Sequence, residues 1–213
     1  MAELKRHDVV LRGKTPQGAH ITLRPLTEND WDTLARWNSD PEVLYYAEGD
    51  HVTARTLEDV QQIYRSVSHN AFCFIIEADG TPVGECWLQK MNLDRITQTH
   101  PDLDCRRIDI MIGEKLYCGQ GIGSKAIYLL TEFAFMKENA DVIFGCGIAD
   151  YNIRSLRAFQ KVGYETVSKI IQVPGRKANC IYDLALSKEK FYKKNKGGQL
   201  SSSRRTRRIA LRR

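Results

Sequence analysis

Three glycines, Gly119, Gly121 and Gly123, alternate at the head of a stretch with strong helical character, YCGQGIGSKAIYLL over residues 117–130. Glycine is costly inside a helix and is favoured where backbone bends tightly or comes close to another group. Alternate glycines running into a helix start align several amide N–H groups, and the helix dipole places partial positive charge behind them. Such a nest suits phosphate. Taken alone, the pattern fits an ordinary helix-capping loop equally well, so its surroundings decide. An apolar strand over 108–112 precedes it and a helix follows, which is the context a phosphate loop needs. Two common versions are excluded. A Walker A loop ends in Gly-Lys-Ser/Thr, whereas here Ser124 precedes Lys125. The dinucleotide fingerprint has the spacing Gly-x-Gly-x-x-Gly and follows the first strand, and this strand reads as the fourth.

The remaining pattern alternates strands and helices, an α/β arrangement without internal repeats. Residues 20–26 alternate as a strand, and Thr27 with Asp30 forms a capping pair for a helix over 28–38. Residues 40–52 read as loop and 53–67 as an amphipathic helix. Asp79-Gly80 between two apolar runs predicts a hairpin over 71–90. A polar loop over 91–104 leads to a strand over 105–113. After the glycines come a helix over 124–139, a short buried strand over 141–149 and a helix over 151–163 stopped by Gly163. A second hairpin, 164–173 with 179–187, completes the series.

Charge is distributed unevenly. Residues 187–213 carry a net +10 against +6 for the whole chain, leaving −4 for residues 1–186. We therefore read residues 1–19 as an N-terminal extension, 20–186 as one acidic domain, and 187–213 as a basic, disordered tail. The domain itself is not expected to bind nucleic acid; for the tail that stays open. No run of eighteen apolar residues is present, so no membrane span is expected, and the N-terminal stretch lacks a signal-like apolar core. The six cysteines are scattered without a Cys-x-x-Cys pair and the five histidines lack ligand spacing, which points to reduced thiols, a cytoplasmic setting and no metal site.

With these elements in order, residues 20–186 resemble the GNAT superfamily of Gcn5-related N-acetyltransferases. The likeness rests on IDIMIGEKLYCGQGIGSKAIYLL followed by IADYNIRSLRAFQKVGYE, two motifs in the right order with the right elements between them. It implies a central mixed, mostly antiparallel sheet with a splayed parallel strand pair and flanking helices. It also implies acetyl-CoA as co-substrate, and a monomer or homodimer. Gly119, Gln120, Gly121, Ile122, Gly123 and Ser124 would hold the pyrophosphate, and Ile110, Met111 and Ile112 the pantetheine arm. Asn152 would stand near the pantetheine end, beside Phe159. Many relatives carry at that last position a tyrosine that can protonate the departing thiolate, and phenylalanine cannot donate. The pair Ile108-Asp109, ten residues before Gly119, is similar to the aminoglycoside 6′-N-acetyltransferases. That branch implies a small cationic amine as acceptor and antibiotic resistance as the role. The fold is shared with ribosomal-type N-terminal acetyltransferases, with polyamine acetyltransferases and with binding proteins that have lost turnover.

Acetyl transfer needs a neutral amine, and an aliphatic amine is mostly protonated at neutral pH. A carboxylate can attract the ammonium and take its proton as nitrogen attacks the thioester. Asp109, in the otherwise apolar IDIMI, is the candidate base; pairing with Arg106 or Arg107 is the structural alternative. Asp94, Asp102 and Asp104 on the loop before that strand, with Glu85 on the hairpin, would steer a polycation. Tyr45, Tyr46 and Trp87 offer flat faces for a sugar ring.

Overall fold

Alternation along the strands decides which side chains meet which helices. The computed structural model describes residues 3–47 and 53–195. Among them, eight strands form one sheet: β1 (Leu11–Lys14), β2 (His20–Pro25), β3 (Ala71–Ala78), β4 (Thr81–Lys90), β5 (Cys105–Ile112), β6 (Val142–Ala149), β7 (Glu165–Ile171) and β8 (Cys180–Ser187). Their spatial order is β1-β2-β3-β4-β5-β6-β8-β7, antiparallel throughout except for the parallel pair β5–β6. Besides a helical segment over residues 188–195, the helices are α1 (Trp31–Trp37), α2 (Pro41–Ala47), α3 (Leu57–Ser68), α4 (Asp94–Thr97), α5 (Ile122–Met136) and α6 (Ile153–Val162). None is long and apolar enough to cross a membrane.

On β4 and β5, Cys86, Leu88 and Ile108 face one way and pack with Ile127, Leu130 and Ala134 of α5. Trp87 and Met111 face the other way, against Leu34 and Trp37 of α1 and Val60 and Tyr64 of α3. Each fully buried aliphatic side chain in these layers stabilises the fold by about 1.5–3 kcal/mol. Glu85 pairs with Met111 and Trp87 with Asp109 across β4 and β5, so both carboxylates share the α1–α3 face.

Several elements differ from the sequence expectation. Residues 40–52 are not all loop, because α2 begins at Pro41. Asp40 accepts the amides of Glu42 (2.9 Å) and Val43 (3.4 Å) there, a helix start with proline in the first turn. The polar loop over 91–104 contains the single-turn α4. Within the N-terminal extension, β1 pairs with β2, and the strand before the glycines is therefore the fifth rather than the fourth. Within the basic tail, residues 188–195 form a helix instead of disordered chain, and Phe191 on it is 3% exposed against the main core. The remainder of the tail lies outside the described residues.

The parallel pair opens into a cleft. β5 and β6 are in register only where Cys105, Arg106 and Arg107 meet Val142, Ile143 and Phe144. Beyond that point β5 stays with β4, while β6 follows β8 through a register shift between Gly145 and Ile148. Gly147 takes φ +66° there, a conformation that favours glycine. Its N–H donates to Asp183 Oδ1 at 2.8 Å, and Arg95 holds both oxygens of Asp183 at 2.9 Å. Asp183 is 2% exposed, so a buried carboxylate paired with a part-exposed arginine anchors the divergence of the two strands.

Candidate active site

The cleft is continuous with the glycine loop. Gly119 and Gly121 both have φ +81°, and Gly121 caps α5 without a side-chain hydrogen bond. The first amides of α5 are thereby left facing a cavity of about 370 Å³. Ile110, Met111 and Ile112 line it along β5, and Gly119, Gly121, Ile122, Gly123 and Ser124 line it at the loop. Gln120 does not. Its side chain turns to donate to Leu116 O at 2.7 Å. The sequence reading missed the opposite wall, where Arg154, Arg157 and Lys161 of α6 face the same cavity. Their spacing of three and four residues places them on one helical face, a signal that the sequence did contain.

A second cavity, of about 420 Å³, extends along β5 and reaches β6 from Cys146 to Ala149. Glu85, Trp87, Asp109, Tyr46 and three arginines, Arg55, Arg107 and Arg176, are among its lining residues. Ile110, Met111, Tyr46, Ala47, Asn152 and Ser155 line both cavities, so the two spaces meet where β5 leaves β6. Asn152 fixes this junction. Its Oδ1 accepts from Ser155 N at 3.1 Å as the cap of α6, and its Nδ2 donates to Tyr46 O at 2.8 Å.

Asp109 is paired with Arg107, the alternative that the sequence had left open. Oδ2 accepts from Trp87 Nε1 at 2.9 Å and from Arg107 Nε at 2.7 Å, and Arg107 Nη2 binds Oδ1. Burial disfavours the charged Arg107, but the bond to Asp109 more than offsets this and its pKa is raised. Glu85 is 4% exposed. Burial, and then the negative charge of Glu85, push up the ionisation of Cys73, to about 12, and of Cys86.

The other expected residues divide. Tyr46 lines both cavities with Arg154 over its ring at 5.3 Å. Tyr45 lines neither and stacks with Tyr46 and Tyr151, at 4.8 and 5.0 Å between centroids. Phe159 lines the second cavity rather than the first, and is mainly a core residue. It is 2% exposed, edge-on to Tyr164 at 5.0 Å, and packs over Gly145, where a Cβ would come within 2.7 Å of its ring. Asp94, Asp102 and Asp104 are not brought to either cavity. Asp94 and Asp102 are exposed at the closed end of the strand pair, and Asp104 binds Arg106 at 2.6 and 2.9 Å. All six cysteines are free, and among the described residues no cluster of His, Cys, Asp and Glu could hold a metal ion.

Comparison with known proteins agrees with this layout. The profile of the acetyltransferase (GNAT) domain matches residues 20–165. Aminoglycoside N(6′)-acetyltransferase type 1 of Klebsiella pneumoniae is 25% identical over 150 residues, covering 68% of this chain and 74% of that protein. Among solved structures, aminoglycoside acetyltransferase AAC(6′)-Ib in complex with coenzyme A superposes with a TM-score of 0.67 at 21% identity, over 81% of this chain and 98% of that one. RimJ of Mycobacterium smegmatis, in complex with CoA-disulfide, superposes with a TM-score of 0.69 at 18% identity, over 85% of this chain and 88% of that one.

Proposed function

On the premise that the chain belongs to the GNAT acetyltransferase family, we propose that it moves the acetyl group of acetyl-CoA to a primary amine of a small cationic molecule, specifically the 6′-amine of an aminoglycoside. The observation that carries this reading is the junction of two cavities at Ile110 and Met111. The first has amides for a pyrophosphate at one end and an open strand edge for an extended arm along its length. The second brings two carboxylates and an aromatic floor to the place where that arm would end. An amine held there attacks the thioester carbon without a diffusional step. Backbone groups on the β6-facing edge of β5 supply donors for the arm and for the developing oxyanion.

The aminoglycoside reading draws on the named relatives and on Glu85 and Asp109 in the acceptor cavity. A second reading, a peptide N-terminus, is favoured by Arg55 and Arg176 in the same cavity, because cations suit an acceptor that also carries carboxylates. Thiol release from acetyl-CoA with kanamycin, tobramycin, spermidine or a short peptide separates the two. Turnover with the first two at rates well above spermidine and peptide is the expected result; turnover with peptide alone replaces the acceptor but keeps the chemistry. CoA binding without release for any acceptor would make the chain a binding protein.

A further inference from the structure

The side chain of Asn152 uses both ends of its amide on protein partners. As the cap of α6, its Oδ1 accepts from Ser155 N at 3.1 Å, which aims Nδ2 the other way, onto Tyr46 O at 2.8 Å. Turning the amide over would set donor against donor and acceptor against acceptor, so the network fixes its orientation. Serine, threonine or aspartate could cap the helix as well. Among those residues, asparagine alone can cap and still reach a distant carbonyl with an N–H.

What that donor holds is the end of α2. The last four carbonyls of a helix lack partners within it, and here they belong to residues 44–47. Two are taken by the turn between β6 and α6: Tyr46 O by Asn152, and Tyr45 O by the Tyr151 hydroxyl at 3.2 Å. Arg154, in the first turn of α6, lies over the Tyr46 ring at 5.3 Å. With seven residues, α2 is too short to persist on its own ladder. Near its start, Lys115 Nζ meets Asp40 and Glu42 at 3.1 and 3.2 Å, but Lys115 is 49% exposed and such pairs are screened and weak. The bonds from the β6–α6 turn are therefore the stronger tie. They join α2 to the helix that walls the first cavity, and Tyr46 and Ala47, at the tied end, line both cavities. The placement of α2 thus sets the passage from one cavity to the other.

Within the acetyl-transfer reading above, on which it rests, we propose that Asn152 is a positioning residue for the acceptor amine. It latches α2 to α6 so that Tyr46 closes the acceptor cavity beside the thioester, and it contributes little to holding CoA. This differs from the place at the pantetheine end that the family resemblance implies. An acceptor lying against a loose α2 is aligned with the thioester carbon less often, so the cost of losing the latch falls on the acceptor.

Two variants separate the latch from the cap. Asn152→Ser keeps an oxygen for Ser155 N but is too short to reach Tyr46 O, and Asn152→Asp keeps the cap while setting a carboxylate against that carbonyl. With whichever of kanamycin, tobramycin, spermidine and short peptide turns over, kcat/KM for the acceptor should fall about threefold to tenfold in Asn152→Ser, the value of one lost hydrogen bond, and further in Asn152→Asp. The Kd for CoA in Asn152→Ser, measured by calorimetry, should stay within about twofold of the parent. In hydrogen exchange followed by mass spectrometry, the amides of residues 44–47 should exchange at least about threefold faster in Asn152→Ser, while α5 keeps its protection. A Kd for CoA weakened as much as the acceptor kcat/KM, or unchanged exchange in α2, overturns the proposal. If Asn152→Ser does not fold, Asn152→Asp, whose cap is as strong, carries the exchange comparison. A parent chain that binds CoA but acetylates none of the four acceptors removes the acetyl-transfer reading, a separate failure, and the exchange comparison still decides the latch.

Discussion

Single charged side chains fix the geometry at two distant points of this protein. Asp30 accepts from Arg24 at 2.7 and 2.9 Å and from the Thr27 amide at 2.8 Å. Burial acts to raise its pKa, but the bonds from Arg24 and Thr27 outweigh it and hold the carboxyl below the usual aspartate value. A depressed carboxylate stabilises the fold above its unfolded pKa and loses that contribution as pH falls through the folded one. Asp30→Asn should therefore flatten the acid limb of stability, measured as urea midpoints between about pH 3 and 7. At the cleft, Asp183→Asn leaves Arg95 and the Gly147 amide with a weaker acceptor. Arg95 is 39% exposed, so screening keeps the stability loss near 1–3 kcal/mol, roughly that of a lost charged hydrogen bond. The more telling expectation is a weaker affinity for CoA, because the same bond holds β6 away from β5.

At the scale of elements, the glycine loop and α6 form the two walls of the first cavity. Replacing Gly121 by valine forces a β-branched residue to φ +81°, a penalty of about 1–3 kcal/mol, and should raise the Kd for CoA while stability changes little beyond that strain. Arg157→Gln with Lys161→Gln removes two cations from α6; we expect KM for acetyl-CoA to rise several-fold with kcat unchanged, and more strongly at low salt. These elements were readable in advance because their signals are local: alternate glycines, Gly163 as the stop of α6, Asp79-Gly80 in the β3–β4 hairpin. By contrast, α2 was hidden in a segment with two tyrosines and a glycine, although its Asp40-Pro41 start was visible. β1 is only four residues long. The Asp183–Arg95 and Asp109–Trp87 bonds join residues 88 and 22 apart, and nothing along the chain marks such partners. The carboxylates of the 91–104 loop misled for the same reason, since being near in sequence to β5 did not bring them to its open end.

In the molecule as a whole, one sheet divides two tasks between its faces. The α5 face carries the larger core, and the α1–α3 face carries Glu85, Trp87 and Asp109. The helix over 188–195 belongs to the first task through Phe191. Ending the chain at Ser187 should destabilise it by at least about 1.5–3 kcal/mol, the value of one buried aromatic, seen as a lower urea midpoint. Both tasks converge on the cleft between β5 and β6, headed by the amides at the start of α5, where we propose that a CoA thioester lies. Calorimetric titration of CoA into the folded parent chain and into Gly121→Val decides this. Saturable heat for one site per chain is expected in the parent, with a markedly weaker Kd in the variant. Absence of binding to the folded parent, or equal affinity in both, would contradict it.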